Sequence, residues 1–115
     1  MVRLGDLERA VMTCLWDAGR PLTVREVHEA LETARTIAYT TALTTLQRLA
    51  RKGLVAQERA ERAHRFRAVA TRDELFAELL SDALGVAAGD TGVLVRFVDQ
   101  LGADDRAALR EALDD

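Results

Sequence analysis

Residues able to carry out chemistry are scarce in this chain. A single cysteine, Cys14, leaves no internal disulfide to form and makes a reducing compartment the default. His28 and His64 are the two histidines, and with Cys14 they offer no metal-ligand spacing, so neither a metal nor any other cofactor is expected. A glycine-rich nucleotide loop and a Ser/His/Asp arrangement are both absent, and enzymatic activity is not expected. No apolar run approaches the ~18 residues of a membrane span. Met1-Val2-Arg3-Leu4-Gly5-Asp6 leads directly into a charged helix, with no sign of a signal peptide. A cytoplasmic location is the expectation. Low-complexity tracts are also missing, and the apolar share of 49% suits an ordinary folded chain.

What is present is unevenly charged. The net charge of −3 over 115 residues argues against a polyanionic partner only while it is read globally. Residues 1–70 carry 12 Arg/Lys against 8 Asp/Glu, whereas residues 71–115 carry 4 against 11. Residues 35–67 concentrate the excess at +6, with Arg35, Arg48, Arg51, Lys52, Arg59, Arg62, Arg65 and Arg67 against Glu58 and Glu61. A basic binding module joined to an acidic module with another task is the organisation this implies.

Ala38 to Gly53 is the stretch around which the rest is arranged. Tyr39, Ala42, Leu43, Leu46, Leu49 and Ala50 recur at spacings of three and four, the apolar stripe of an amphipathic helix. Gly53 supplies a left-handed terminus, and Arg51 and Lys52 suit the negative end of the helix. The other face carries Thr40, Thr41, Thr44, Thr45, Arg48 and Lys52. Threonine is a mediocre helix former, and a merely solvated face would carry Glu, Lys and Gln. Short hydroxyls followed by basic residues fit a helix pressed against nucleic acid. There, hydroxyls reach phosphates or base edges, threonine methyls meet thymine methyls, and Arg48 forks onto guanine. A rival role for Arg48 is an ion pair with Glu58.

The flanking segments turn this helix into a motif. Asp6 to Ala18 reads as a helix with Leu7, Val11, Cys14 and Leu15 on one face, Cys14 being a structural thiol and Trp16 a core or interface residue. Gly19-Arg20-Pro21 turns the chain, and the capping box Thr23-Val24-Arg25-Glu26 opens a second helix that buries Val24, Val27 and Leu31. His28 lies off that stripe and is expected to be solvated or to face a phosphate. Residues 54–59 and 64–69 have a period of two around a polar tip, which is a basic hairpin carrying Arg62, His64 and Arg65. Helix-turn-helix followed by such a hairpin is a winged helix. Its DNA-facing candidates are Tyr39, Thr40, Thr41, Thr44, Thr45, Arg48, Lys52, Arg62, His64 and Arg65.

A second capping box, Thr71-Arg72-Asp73-Glu74, marks the expected boundary between residues 1–70 and 71–115. Beyond it, a helix with Leu75, Phe76, Leu79 and Leu80, a loose connection at 85–92, an apolar run at 93–101 and a short helix at 104–113 are expected. Three such helices have too little mass to bury their own Leu, Val and Phe, so a second copy of the chain is the expected cover. Leu75, Leu79, Leu94, Phe97, Val98 and Leu101 are the dimerisation candidates. The fold class is therefore mainly α with a small β-hairpin: a winged helix-turn-helix domain followed by a helical dimerisation domain.

Residues 4–12, 24–31, 38–41 and 46–54, with the wing Arg62-Ala63-His64-Arg65-Phe66, resemble the penicillinase-repressor (BlaI/MecI/CopY) family. The wing and the use of Arg with a single Lys resemble its actinobacterial branch. The resemblance covers nearly the whole chain and is strongest over 4–69. It implies a homodimeric repressor of transcription on palindromic operator DNA, with β-lactamase or related stress genes as the kind of target, and DNA contacts at Thr40, Thr41, Thr44 and Arg48. Some relatives are inactivated by cleavage at an Asn-Phe bond in the C-terminal domain. Arg96-Phe97 is the equivalent place here, with Arg in place of Asn. Copper-responsive members carry paired cysteines near the C-terminus, which this chain does not. The alternative class is a winged helix that binds protein, against which the Thr/Arg face and the local charge of +6 both speak.

Overall fold

The computed structural model of the protein describes residues 4–59, 61–86, 89 and 91–114. Among these, helices α1 (Asp6–Ala18), α2 (Val24–Glu32), α3 (Tyr39–Arg51), α4 (Arg72–Val86), α5 (Thr91–Asp99) and α6 (Ala103–Leu113) are joined by three short strands, β1 (Leu22–Thr23), β2 (Val55–Glu58) and β3 (Arg65–Ala68). The chain forms two compact units, the first ending at Leu79 and the second starting at Leu80.

The first capping box forms in full, and at Thr71 the side-chain cap forms without the reciprocal backbone bond. Thr23 Oγ1 accepts from the Glu26 N–H at 3.1 Å while the Thr23 N–H donates to Glu26 Oε1 at 3.0 Å, satisfying two orphan donors at the start of α2. Arg20 reaches the same carboxylate at 2.8 Å. That hydrogen bond, followed by the one from the Thr23 backbone, holds the Glu26 carboxyl at about 2. At α4, Thr71 Oγ1 accepts from the Glu74 N–H and donates to the Glu74 side chain, both at 3.1 Å.

Strands β2 and β3 form the expected hairpin, antiparallel and in register from Val55 opposite Ala68 to Glu58 opposite Arg65. The third strand is an addition to the sequence reading. Leu22 pairs with Phe66 and Thr23 with Arg65, giving the order β1-β3-β2. Two residues carry no periodicity, so this strand left no pattern to read.

The core of the first unit draws Val11, Met12 and Leu15 from α1, Val27 and Leu31 from α2, Ala42, Leu46 and Leu49 from α3, and Phe66 from the hairpin. Leu46, Leu49 and Phe66 are fully buried, each worth about 1.5–3 kcal/mol relative to exposure. Cys14 packs half-buried against this core, and burial pushes its thiol up, with Asp17 adding to the effect. Trp16 closes one end of the unit. Its Nε1–H donates to Ala70 O at 3.0 Å, its ring lies 6.1 Å from that of Phe76, and the Arg72 guanidinium sits 5.3 Å from its centroid.

That latch corrects two expectations. The first unit extends to Leu79, beyond the boundary expected at residue 70. Leu75 is 0% exposed within this unit and Leu79 packs half-buried against the same core. A helix opened at Thr71 lays its first two turns on α1, fixed by Trp16 with Phe76 and by Arg72 with Asp17 at 3.3 Å. Leu75 is thereby buried within its own chain.

In the second unit, α4 continues to Val86, so the connection expected from Gly85 starts later; residues 87, 88 and 90 lie outside the described ones. No residue of α5 or α6 is buried. Leu94 and Phe97 are 46% and 41% exposed, whereas Val98 and Leu101 are half-buried. The Arg96–Phe97 bond lies within α5.

Candidate nucleic-acid interface

Helix α3 is held at both ends before it presents anything. At its C-terminus Gly53 adopts φ +78°, the Gly53 N–H donates to Ala50 O at 3.0 Å and the Leu54 N–H to Leu49 O at 3.0 Å. This is a Schellman turn, and it feeds the buried Leu54 and Val55 into the hairpin. At its N-terminus His28 reaches across from α2. Its Nε2 lies 2.8 Å from Ile37 O and 3.0 Å from Glu32 Oε1, and its ring meets Tyr39 edge-on at 5.9 Å. A solvated or phosphate-facing imidazole was the expectation. The structure instead uses His28 to fix the turn that aims α3.

A second tie runs to α1. Glu8 is buried, its Oε1 accepting from the Gly5 N–H at 3.1 Å and its Oε2 facing Lys52 Nζ at 2.7 Å. Burial pushes the Glu8 carboxyl up. The Lys52 and Gly5 hydrogen bonds and the charges of Lys52 and Arg48 outweigh it, so the group sits below its ordinary value. Lys52, expected among the DNA contacts, therefore has its ammonium on Glu8. Its register puts it beyond the last helical turn, beside α1. The Arg48 charge is felt by the same carboxylate, and Glu58, its imagined rival partner, pairs instead with Arg67 at 2.9 Å.

The exposed face of α3 carries Tyr39, Thr40, Thr41, Thr44, Gln47, Arg48 and Arg51. Thr45 does not belong to it: the residue is 3% exposed and its hydroxyl donates to Thr41 O at 2.7 Å. Thr44, which is exposed, donates likewise to Thr40 O at 2.8 Å, so its hydroxyl keeps only acceptor capacity. Gln47 and Arg51 were missed in the sequence. At about 100° per residue, Thr40, Thr44, Gln47 and Arg51 fall within about 60° of arc, while Thr41 and Arg48 lie to one side, toward α1. The signal was the spacing of four, three and four from Thr40, hidden because the basic residues at 48 and 52 drew the stripe one step round.

Two concavities flank this row. One, of about 240 Å³, is lined by Leu7, Thr40, Thr41, Thr44, Thr45 and Arg48 beside α1. The other, of about 730 Å³, opens between α3 and the hairpin, with Tyr39, Gln47, Gln57, Arg62 and His64 among its walls. Arg62, His64 and Arg65 are all exposed, and Arg35, Arg51, Arg59, Arg62 and Arg65 make no ion pair among the described residues. The first unit thus joins an exposed hydroxyl, amide and guanidinium row to a basic hairpin on which Arg67 is paired with Glu58 and Arg59, Arg62 and Arg65 make no ion pair among the described residues. No group of three His, Cys, Asp or Glu able to hold a metal occurs among the described residues, and none of the described helices is long and apolar enough to cross a membrane.

Known proteins carry the same construction. The chain is 56% identical over 117 aligned residues to the transcriptional regulator BlaI of Mycobacterium tuberculosis, covering 98% of this chain and 84% of that one. Among solved structures, Bacillus licheniformis BlaI in monomeric form with the blaP half-operator superposes with a TM-score of 0.54 at 23% identity, over 64% of this chain and 88% of that one. A MarR family protein from Bacillus stearothermophilus gives 0.55 at 18% identity, over 98% and 72%. These likenesses establish a winged-helix fold. The model of the penicillinase repressor family matches residues 4–115, and with it the chain belongs to the penicillinase repressor family.

Proposed function

We propose that the protein is a homodimeric repressor of transcription that binds palindromic operator DNA, with α3 in the major groove and the β2–β3 wing on the adjacent backbone or minor groove. The observation that carries this reading is the exposed row of α3 standing beside a hairpin whose Arg59, Arg62 and Arg65 make no ion pair among the described residues. Membership of a repressor family and the transcriptional-regulator relative at 56% identity support it. On the exposed face, Arg48, to one side of the row, can read guanine through its two nitrogens, and Thr40 and Thr41, at the helix start, can meet phosphate or a thymine methyl. Tyr39 stands exposed at the same end. Arg62, His64 and Arg65 supply charge that positions the protein without reading sequence.

The dimer is assigned to the second unit, where Leu94 and Phe97 of α5 stand exposed beside Val98 and Leu101. Two copies on one two-fold axis match a palindrome. The protein acts by occupancy alone, in the cytoplasm, with no reaction to catalyse. Fluorescence anisotropy with the promoter duplex flanking its own gene, against a shuffled duplex at fixed physiological salt, tests this directly. Binding of the promoter at least about 10³-fold tighter is expected. Equal affinity for both duplexes, or none for either, would remove the reading.

A further inference from the structure

The amide of Gln47 is the best-placed base-reading group on α3 that the arginine and threonine chemistry leaves aside. It sits in the middle of the Thr40–Thr44–Gln47–Arg51 row, exposed, and its carboxamide has no hydrogen-bond partner among the described residues. The neighbouring Thr44 hydroxyl is less available as a donor, because it already donates to Thr40 O. Gln47 also lines the large groove toward the wing, opposite Gln57 and His64, so a base edge entering from the wing side meets it. A carboxamide offers one acceptor and two donors on a single plane. That pattern matches adenine in the major groove, N6 donating to the oxygen while N7 accepts from the nitrogen.

We infer that Gln47 is a specificity-determining residue that forms a two-point contact with one adenine in each half-site. This rests on the proposed reading of α3 as the DNA-recognition helix. Thr44 lies exposed on the same face, and Arg51, one turn further on, would anchor the row to phosphate.

The test pairs protein variants with base analogues on the full chain. Wild type, Gln47→Ala and Gln47→Glu are titrated against an operator panel in which each base pair is changed in turn. At each adenine position, 7-deazaadenine is also substituted, which deletes only the N7 acceptor. Wild type is expected to lose about 5- to 150-fold at one adenine per half-site and to be weakened by 7-deazaadenine there. Gln47→Ala is expected to bind more weakly yet be indifferent to that base and its analogue, with the other positions unchanged. Gln47→Glu is expected to favour cytosine, whose N4 amine donates to a carboxylate. Melting curves of both variants should match wild type, because the side chain is exposed. A Gln47→Ala panel that retains the wild-type profile, or falls uniformly, overturns the inference while leaving the recognition helix in place. A wild type that discriminates no position at all removes the parent reading instead.

Discussion

Replacing Lys52 with Met probes how helix α3 is held. The Lys52 ammonium lies 2.7 Å from Glu8 Oε2, and the Glu8 side chain is buried between α1 and the end of α3. Without the lysine, a buried carboxylate keeps only the Gly5 N–H at 3.1 Å. Breaking a buried pair from one side costs about 3–5 kcal/mol when both groups are fully dry. Lys52 is 31% exposed and water reaches it, so about 2 kcal/mol is the expected loss. That corresponds to a melting temperature lower by roughly 8 °C in a domain of this size. The loss depends on pH. In the wild type the Glu8 carboxyl is held below its ordinary value, so its contribution is present above the unfolded value of about 4.3 and fades as pH falls through the folded one. In the variant, burial pushes the same group up, and acid relieves it by protonation. The deficit should be full at pH 7 and close as pH falls through the lowered folded value. Urea unfolding at fixed protein concentration, at several pH values, measures both effects. Adding Glu8→Gln to Lys52→Met should recover most of the loss at pH 7, since the amide still accepts from Gly5. A deficit independent of pH, or a double variant as unstable as the single, would refute the reasoning.

Further expectations are simpler to state. Removing Arg62 or Arg65 should flatten the slope of log K against log salt by roughly 2 per dimer, because each phosphate contact contributes about −0.9 and occurs twice; titrations from low to physiological salt read this. Asp at Leu94 or Phe97 should shift the protein toward monomer in sedimentation at micromolar concentration and weaken operator binding in parallel, whereas Leu75→Asp should unfold the first unit instead. Gly53→Ala should lower stability by about 1–2 kcal/mol in thermal melts, since φ +78° is strained for any Cβ although nothing lies within 4 Å of one there.

The helix caps at Thr23 and Thr71, the amphipathic helices and the glycine at 53 stood in the sequence with their bounds nearly correct. These are local signals, set by spacing and backbone preference. Three kinds of information were not local. Strand β1 exists only because Leu22 meets Phe66 across 44 positions, and two residues cannot announce a period. Lys52 was read as a DNA contact because its partner Glu8 lies on another helix, invisible to any spacing rule. Leu75 looked like every other exposed leucine of an amphipathic helix until α1 covered it. The exposed face of α3 was legible as a class of surface, with Gln47 and Arg51 left out of it. Charge attracts the eye to Arg48 and Lys52, while the angular centre of the exposed arc falls on Thr44, Gln47 and Arg51.

Hydroxyl-radical footprinting of the full chain on its promoter duplex tests the central claim most directly. Two α3 helices on one two-fold axis should protect two half-sites of a palindrome whose centres lie about 10 base pairs apart, with the flanking minor groove shielded by the wings. A single unsymmetric protection, or protection that slides along the duplex without fixed register, would contradict it.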